Sequence, residues 1–410
     1  MDLNDVFQRI DDYSQQMYDT LMDVCKIKAL APENEGDGEL DKAEFLIKVL
    51  KDSGIEDARI IKAPDARVTC GFRPNVIAVL EGSRPELGTI WSVAHIDVVP
   101  PGDLGLWNTE PYEPVETDEK IIGRGVEDNT QSLIASLFAA RAVRDSGIGH
   151  EYNIGLAFVA DEEVGSKYGI KYLVENTELF DREKDLIVVP DSGNPESDFV
   201  EVSEKSIMWL KVTTTGKQCH ASSPERGNNA YRAAMKFLLK ADEYLHERYG
   251  LSDPLFDPPI STFEPTKKLA NVGNVNTIPG EDVSYFDMRI LPDYDPDAIL
   301  ADMEEIAREI EQETGVTINF EKENYDRAAP PTPPDAPVVK KLMKAIKRVY
   351  DNQPKPGGIG GGTCAAIFRR AGYNAVVWST IDEQAHAPNE YIYKKNLIND
   401  SKVFATLFTE

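Results

Sequence analysis

The sequence predicts an α/β protein of two domains, in which a mainly parallel-sheet domain is interrupted by an inserted β-α-β-β-α-β domain. Three observations carry this expectation. Apolar runs of strand length alternate with helical patterns through the first 200 residues, the signature of a covered, mostly parallel sheet. After residue 204 the order becomes β-α-β-β-α-β, the ferredoxin-like arrangement, and it closes near residue 325. At 410 residues the chain is also too long for one ordinary core. The expected division is 1–204 with 326–410 in one domain and 205–325 in the other.

Each element has its own signal. Residues 1–52 read as helix, loop and helix, with the breaker-rich APENEGDGEL between apolar positions at helical spacing. NVIAVL (75–80), TIWSVA (89–94), IGLAFVA (154–160) and LIVVP (186–190) are near-continuous apolar runs, as strands buried on both faces should be. TQSLIASLFAARAVRDSG (130–147) has helical spacing and ends on glycine. In the insert, IMWLKVTTTG reads as a strand and NNAYRAAMKFLLKADEYLHERYG as a long helix. NVGNVNTI and DVSYFDMRI follow as two strands, Asp295 caps a helix that begins at Pro296, and VTINFEKE closes the series. The proline-rich AAPPTPPDAP (328–337) returns the chain to the first domain, where AVVWST (375–380) is the last strand.

Composition narrows the function. A net charge of −27 offers no basic footprint for nucleic acid or for an anionic membrane surface. It favours solubility, and is compatible with a salt-rich cytoplasm. Cys25, Cys70, Cys219 and Cys364 are scattered without a CxxC pair, which favours a reducing cytosol over a disulfide framework. The polar, acidic start lacks the regions of a signal peptide, and no apolar run approaches the ~18 residues needed to span a bilayer. A cytoplasmic protein is expected.

Open parallel sheets bind ligands at the carboxyl ends of their strands. TIWSVA ends at His95-Ile96-Asp97, where positions two apart share a face, so His95 can ligate a metal while Asp97 orients it. IGLAFVA ends at Asp161-Glu162-Glu163, LIVVP ends at Asp191, and AVVWST is followed closely by His386. Asp128 sits in GRGVEDN, directly before a helix. Taken singly, such a histidine is more often structural, and such acids usually cap helices. Their conjunction changes that reading, because converging carboxylates repel one another unless cations are bound. Asp128, Glu163 and Asp191 with two neutral imidazoles suit two divalent ions sharing one bridging acid, with zinc expected and cobalt or manganese compatible. Glu162 is left beside the ligands as a general base for the water and then a donor to the leaving amine.

The segments SVAHIDVVP, GRGVEDN, DEEVG, VVPDSG and AHAPNEY resemble, in order and spacing, the motifs of a di-zinc hydrolase family. Its members include succinyl-diaminopimelate desuccinylase, aminoacylase, acetylornithine deacetylase, carnosinase-type dipeptidases and glutamate carboxypeptidases. The resemblance covers essentially the whole chain. It implies a phosphorylase/hydrolase-like catalytic domain, with the insert as a lid through which the protein forms a homodimer. Carried over by position, it implies His95, Asp128 and Asp191 as ligands of one metal, and Asp128, Glu163 and His386 as ligands of the other. Glu162 then resembles the general base and Asp97 the orienting acid. Relatives place a non-proline cis peptide after the bridging acid, so the Asp128–Asn129 bond is expected to be cis.

The same resemblance implies a role for His220, in GKQCHASSPERGNNA, at a partner subunit's active site, where it stabilises the oxyanion. Asn276 in NTIP and Arg289 in DMR match positions that bind a substrate carboxylate, with a salt bridge inside the lid as the alternative for Arg289. GGIGGGTCAAIF, including Gly362 and Thr363, resembles the loop that wraps the substrate's end. Desuccinylase-like members carry an acid and a basic residue just after that threonine, where this chain has Ala365 and Ile367. The implied substrate is therefore an N-acyl amino acid or a short peptide with a free carboxylate, cleaved by a deacylase or a dipeptidase.

Rival readings fare worse. Gly360 to Ala365 satisfies G-x-G-x-x-A, but DNQPKP before it is not the strand a dinucleotide fingerprint needs. No G-x-S-x-G elbow supports a serine hydrolase. Cys219 and Cys364 lack a histidine base, and His150 and His246 read as structural. A non-catalytic metal-binding scaffold would have no use for Glu162.

Overall fold

The computed structural model describes residues 2–410. The chain forms two compact units. Of the described residues the larger contains 2–202, 331–357 and 363–410, and the smaller contains 203–330 and 358–362.

An eight-stranded sheet organises the larger unit. At its centre Thr89–His95 runs parallel to both Asn153–Val159 and Leu186–Gly193, and Ala375–Ser379 continues the parallel set. Phe72–Leu80 and Arg59–Pro64 extend one side antiparallel, and Phe199–Glu204 pairs antiparallel on the other. All seven residues of Thr89–His95 are buried, as a strand covered on both faces requires. One covering layer is the helix Gln131–Ser146, nearly all of whose residues are buried. The opposite layer packs Phe180, Phe368 and Leu173 against Trp91, Ile187 and Val377. Because the central strands share one direction, their carboxyl ends emerge at one edge. The N-terminal helix of the expected helix–loop–helix is divided at Tyr13 into Leu3–Asp12 and Ser14–Lys26. The edge strand Arg59–Pro64 gave no usable pattern, since only Ala63 on it is buried.

The smaller unit is a four-stranded antiparallel sheet in the order Thr262–Lys268, Glu281–Ile290, Ser206–Thr215, Thr317–Asp326. Ala230–Arg248 and Pro296–Thr314 cover one face, burying Phe237, Leu245, Met303 and Ile310 against Met208, Leu210, Phe286 and Met288. Asp295 caps the second helix by accepting the Asp297 amide. One expected strand was misplaced. NVGNVNTI contributes only Thr277–Ile278, paired with Cys219–His220, and Val275 is fully exposed. The second sheet strand is instead Thr262–Lys268, mostly solvent-facing and carrying Pro265, a residue tolerated on an edge strand.

The glycine-rich loop also departs from the expected division. Gly358–Gly362 belongs with the smaller unit. Gly358 bridges to Phe256, the Lys205 amide donates to the Ile359 carbonyl, and Arg289 donates to the Gly360 carbonyl.

Candidate metal centre

Seven of the expected site residues meet at the carboxyl edge of the large sheet. His95 ends its strand and is 4% exposed. Its Nδ1 lies 3.0 Å from the Asp97 carbonyl oxygen, which sets Nδ1 as the donor and leaves Nε2 for the cleft. That Nε2 is 2.7 Å from Asp128 Oδ1 and 3.3 Å from Asp191 Oδ1. Asp128 lies in a wide turn, Val126–Thr130, and its bond to Asn129 is cis. Its second oxygen, Oδ2, is 3.2 Å from His386 Nε2, which in turn is 3.0 Å from Glu163 Oε2. One carboxylate thus addresses two histidines from two distant segments, one through each oxygen. Asn129 Nδ2 donates to Asp191 Oδ1 and to the Pro190 carbonyl, each at 2.7 Å, and so holds Asp191 at the sheet edge.

Asp97, expected to orient His95, meets Nδ1 most closely through its carbonyl rather than its carboxylate. That carboxylate stands 3.6 Å from Nδ1, and it accepts the amides of Glu162 at 3.0 Å and Glu163 at 3.1 Å. The reason is local. Asp161 adopts a left-handed conformation (φ +69°), so the chain reverses into the short turn Glu162–Val164 and aims two amides at Asp97. Asp161 itself is fixed by the buried Arg73, whose guanidinium also grips Glu39. Glu162 and Glu163 are thereby set side by side, with Glu162 facing the ligand atoms of His95 and Asp191 within 4.8 Å.

Electrostatics follow from this crowding. Burial, reinforced by Asp191, raises Glu162 well above the carboxylate range, and burial likewise raises Glu163. Burial opposes charge on Asp128, but hydrogen bonds from His386 and His95 prevail and hold its carboxyl far down. Burial would lower His95, yet Asp191 and Asp128 outweigh it and raise it well above the imidazole range. Hydrogen bonds to Asp128 and Glu163 push His386 up to about 10. Protons are thus held where cations would compensate the same carboxylates. The donor set fits divalent ions on a second count: Glu163 Oε1 is buried with no hydrogen-bond partner.

The remaining expected residues belong to the smaller unit or its border. His220 is exposed on its short strand with Nδ1 2.8 Å from Ser222 Oγ, and the adjacent Asn276 accepts the Ala221 amide through its carbonyl. Arg289 forks Asp287 and donates to the Gly360 carbonyl at 2.8 Å, so the salt-bridge alternative is the one populated here. Gly362 lies in the glycine-rich loop, and Thr363 Oγ1 accepts the Ala365 amide ahead of the helix Ala365–Arg370.

Sequence reasoning missed Arg124, Glu127 and Glu390. Both acids stand inside the quoted motifs, but an acid in a loop reads as solvated. The structure buries Glu127 to 3% and Glu390 to 0% exposure.

The sequence profile of peptidase family M20/M25/M40 matches residues 92–410. An uncharacterised metallohydrolase of Methanococcus maripaludis is 40% identical over 401 residues, covering 93% of this chain and 96% of that protein. A probable succinyl-diaminopimelate desuccinylase of Staphylococcus epidermidis is 25% identical, covering 95% and 96%. Among solved structures, aminopeptidase PepT from Bacillus cereus superimposes with a TM-score of 0.74 at 19% identity, covering 96% of this chain and 98% of that one, a likeness of fold.

Proposed function

The chain belongs to peptidase family M20/M25/M40, and on that footing we propose that it is a two-metal amidohydrolase acting on an N-acyl amino acid or short peptide with a free carboxylate. The observation that carries this reading is the Asp128 carboxylate, turned by one oxygen to His95 and by the other to His386, with Glu162 facing the ligand atoms of His95 and Asp191. His95, Asp128 and Asp191 would hold one divalent ion, and Asp128, Glu163 and His386 the other. Zinc suits these donors best, with cobalt or manganese compatible. Bound there, the ions would polarise the scissile carbonyl and acidify a water.

The chain's own residues supply the rest. Glu162, which faces the ligand atoms of His95 and Asp191, takes the proton from the water and returns it to the leaving nitrogen. Asp97 holds Glu162 and Glu163 in register through their amides. Arg289 exchanges Asp287 for the substrate carboxylate, Asn276 assists, and Gly362 with Thr363 borders the substrate's far end.

A release assay over succinyl-, acetyl- and aminoacyl-amino acids, each with its methyl ester, tests the reading. We expect metal-dependent cleavage of at least one amide class and a loss of kcat/KM of about 10- to 100-fold on esterification, since a charge-assisted hydrogen bond to the substrate carboxylate contributes about 1.5–3 kcal/mol. No cleavage across the series, or indifference to the ester, defeats it. Ala365 and Ile367 are the reason the series must extend beyond succinyl substrates.

The smaller unit is proposed to pair with its copy. Tyr231, Met235 and Leu239 recur every four residues on Ala230–Arg248 and are all exposed, an apolar stripe of the kind a helix buries in an interface. In such a dimer His220 would donate to the oxyanion in the partner's site. Mixing His220→Ala with Glu162→Gln subunits is expected to restore up to about half of wild-type activity per heterodimer, because one site regains both residues. Absence of recovery after verified subunit exchange means that His220 acts within its own chain or not at all. Among the described residues no helix is long and apolar enough to cross a membrane.

A further inference from the structure

His386 presents a physical problem. Its side chain is 56% exposed, and its loop contains three non-glycine residues in the left-handed region: Glu383, His386 and Asn389. Backbone of that kind persists only where the surroundings over-determine it. Something must hold this loop so that His386 Nε2 stays within 3.2 Å of Asp128.

Two buried carboxylates cross between the segments. Glu390, four residues after His386, accepts the amides of Gly125 at 2.8 Å, Glu127 at 2.8 Å and Asp128 at 3.1 Å. Glu127, the neighbour of Asp128, reaches the other way and accepts the amides of Asp382, at 2.6 Å, and Gln384. Arg124 closes the exchange, donating to Glu390 Oε2 at 2.6 Å and to the His386 carbonyl at 3.3 Å. Each acid thus grips the backbone that carries the other segment's histidine or aspartate. A glutamine in either place would turn an N–H toward a backbone N–H, and a buried donor left facing a donor is costly.

We propose that Glu127 and Glu390 are reciprocal positioning residues, a crossed pair of carboxylate latches that sets the spacing between Asp128 and His386 and so decides whether the second divalent ion is held. The inference rests on the two-metal reading. It assigns the two acids unequal effects. The Glu127 carboxylate accepts the Asp382 and Gln384 amides of the His386 loop, so its loss acts on the ion shared by Asp128, Glu163 and His386. Glu390 binds the Asp128 amide itself, so its loss weakens both ions.

The test is equilibrium binding of zinc to the metal-free, full-length protein, with free zinc set by a competing chelator. Wild type is expected to take up two ions. Glu127→Gln should bind one with near wild-type affinity and the other about 10- to 100-fold more weakly, the usual consequence of losing an outer-shell partner of a ligand. Its circular dichroism should be unchanged, and kcat should recover at saturating zinc. His386→Ala should reproduce the loss, and adding Glu127→Gln to it should change zinc binding no further, since the latch acts through that histidine. Glu390→Gln should weaken both ions. Should Glu127→Gln fail to fold, Arg124→Lys carries the test, because it keeps the charge beside Glu390 and loses the reach to the His386 carbonyl. Two unchanged steps in the variant, equal weakening of both, or full additivity with His386→Ala overturns the latch. Fewer than two ions on wild type overturns the two-metal reading and the latch with it.

Discussion

Glu162→Gln is expected to lower turnover by about 100-fold or more while both ions stay bound, the cost of losing a positioned proton carrier. The substitution keeps the shape of the side chain and the Glu162 amide that Asp97 accepts, so the turn carrying Glu163 should persist. Glu162 differs from its neighbours in having no hydrogen bond to a histidine, whereas Asp128 and Glu163 both do. Glu163→Gln should therefore lower zinc uptake as well as turnover, and elemental analysis of the two variants separates the roles. Near-normal turnover in Glu162→Gln would place the base elsewhere and refute the mechanism.

Chelation is expected to abolish activity and to lower stability. An ion held at a free concentration a thousand times its dissociation constant contributes about 4 kcal/mol per site, so the apoprotein should melt at a clearly lower temperature. The pH dependence has a definite sign. In the metal-free chain His386 is raised to about 10, so its contribution to stability is complete below the ordinary imidazole value of about 6.5 and is lost as pH rises through about 10. The metal-free protein should accordingly lose stability on the alkaline side, and the loaded protein should lack that decline. Because His95 is raised too, loading at neutral pH should expel about two protons, which calorimetry reads as a dependence of the binding enthalpy on the buffer. Full activity with metal verified absent, or loading without proton release, contradicts the two-metal centre.

Most of the site was legible because it lies where strands end. In a parallel set every carboxyl end emerges at one edge, so His95, the acids from Asp161 to Glu163, and Asp191 could be gathered by finding the apolar runs. Asp128 and His386 were gathered by their places before a helix and after the last strand, and the motif resemblance implied which metal each would serve. Arg289 was placed in the right element, but whether a substrate or Asp287 occupies its fork depends on a neighbour two residues away on the same strand face.

The sequence by itself determined the architecture, a parallel sheet interrupted by a β-α-β-β-α-β insert, and the identities of the residues at the sheet's carboxyl edge. Both rest on burial and on chemical type, which apolar runs and ionisable side chains display directly. Only the tertiary structure decided which polar segments pair and which acids are buried. Thr262–Lys268 is an edge strand with one face and one side open to water, so it carries no hydrophobic period. The Asp97 carboxylate turned to two amides more than 60 residues away rather than to the imidazole beside it. Glu127 and Glu390 carry no local sign of burial, and the amides they accept lie some 260 residues distant in the chain. A carboxylate's worth is set by the donors that meet it, and donors brought together by folding leave no trace in the local sequence.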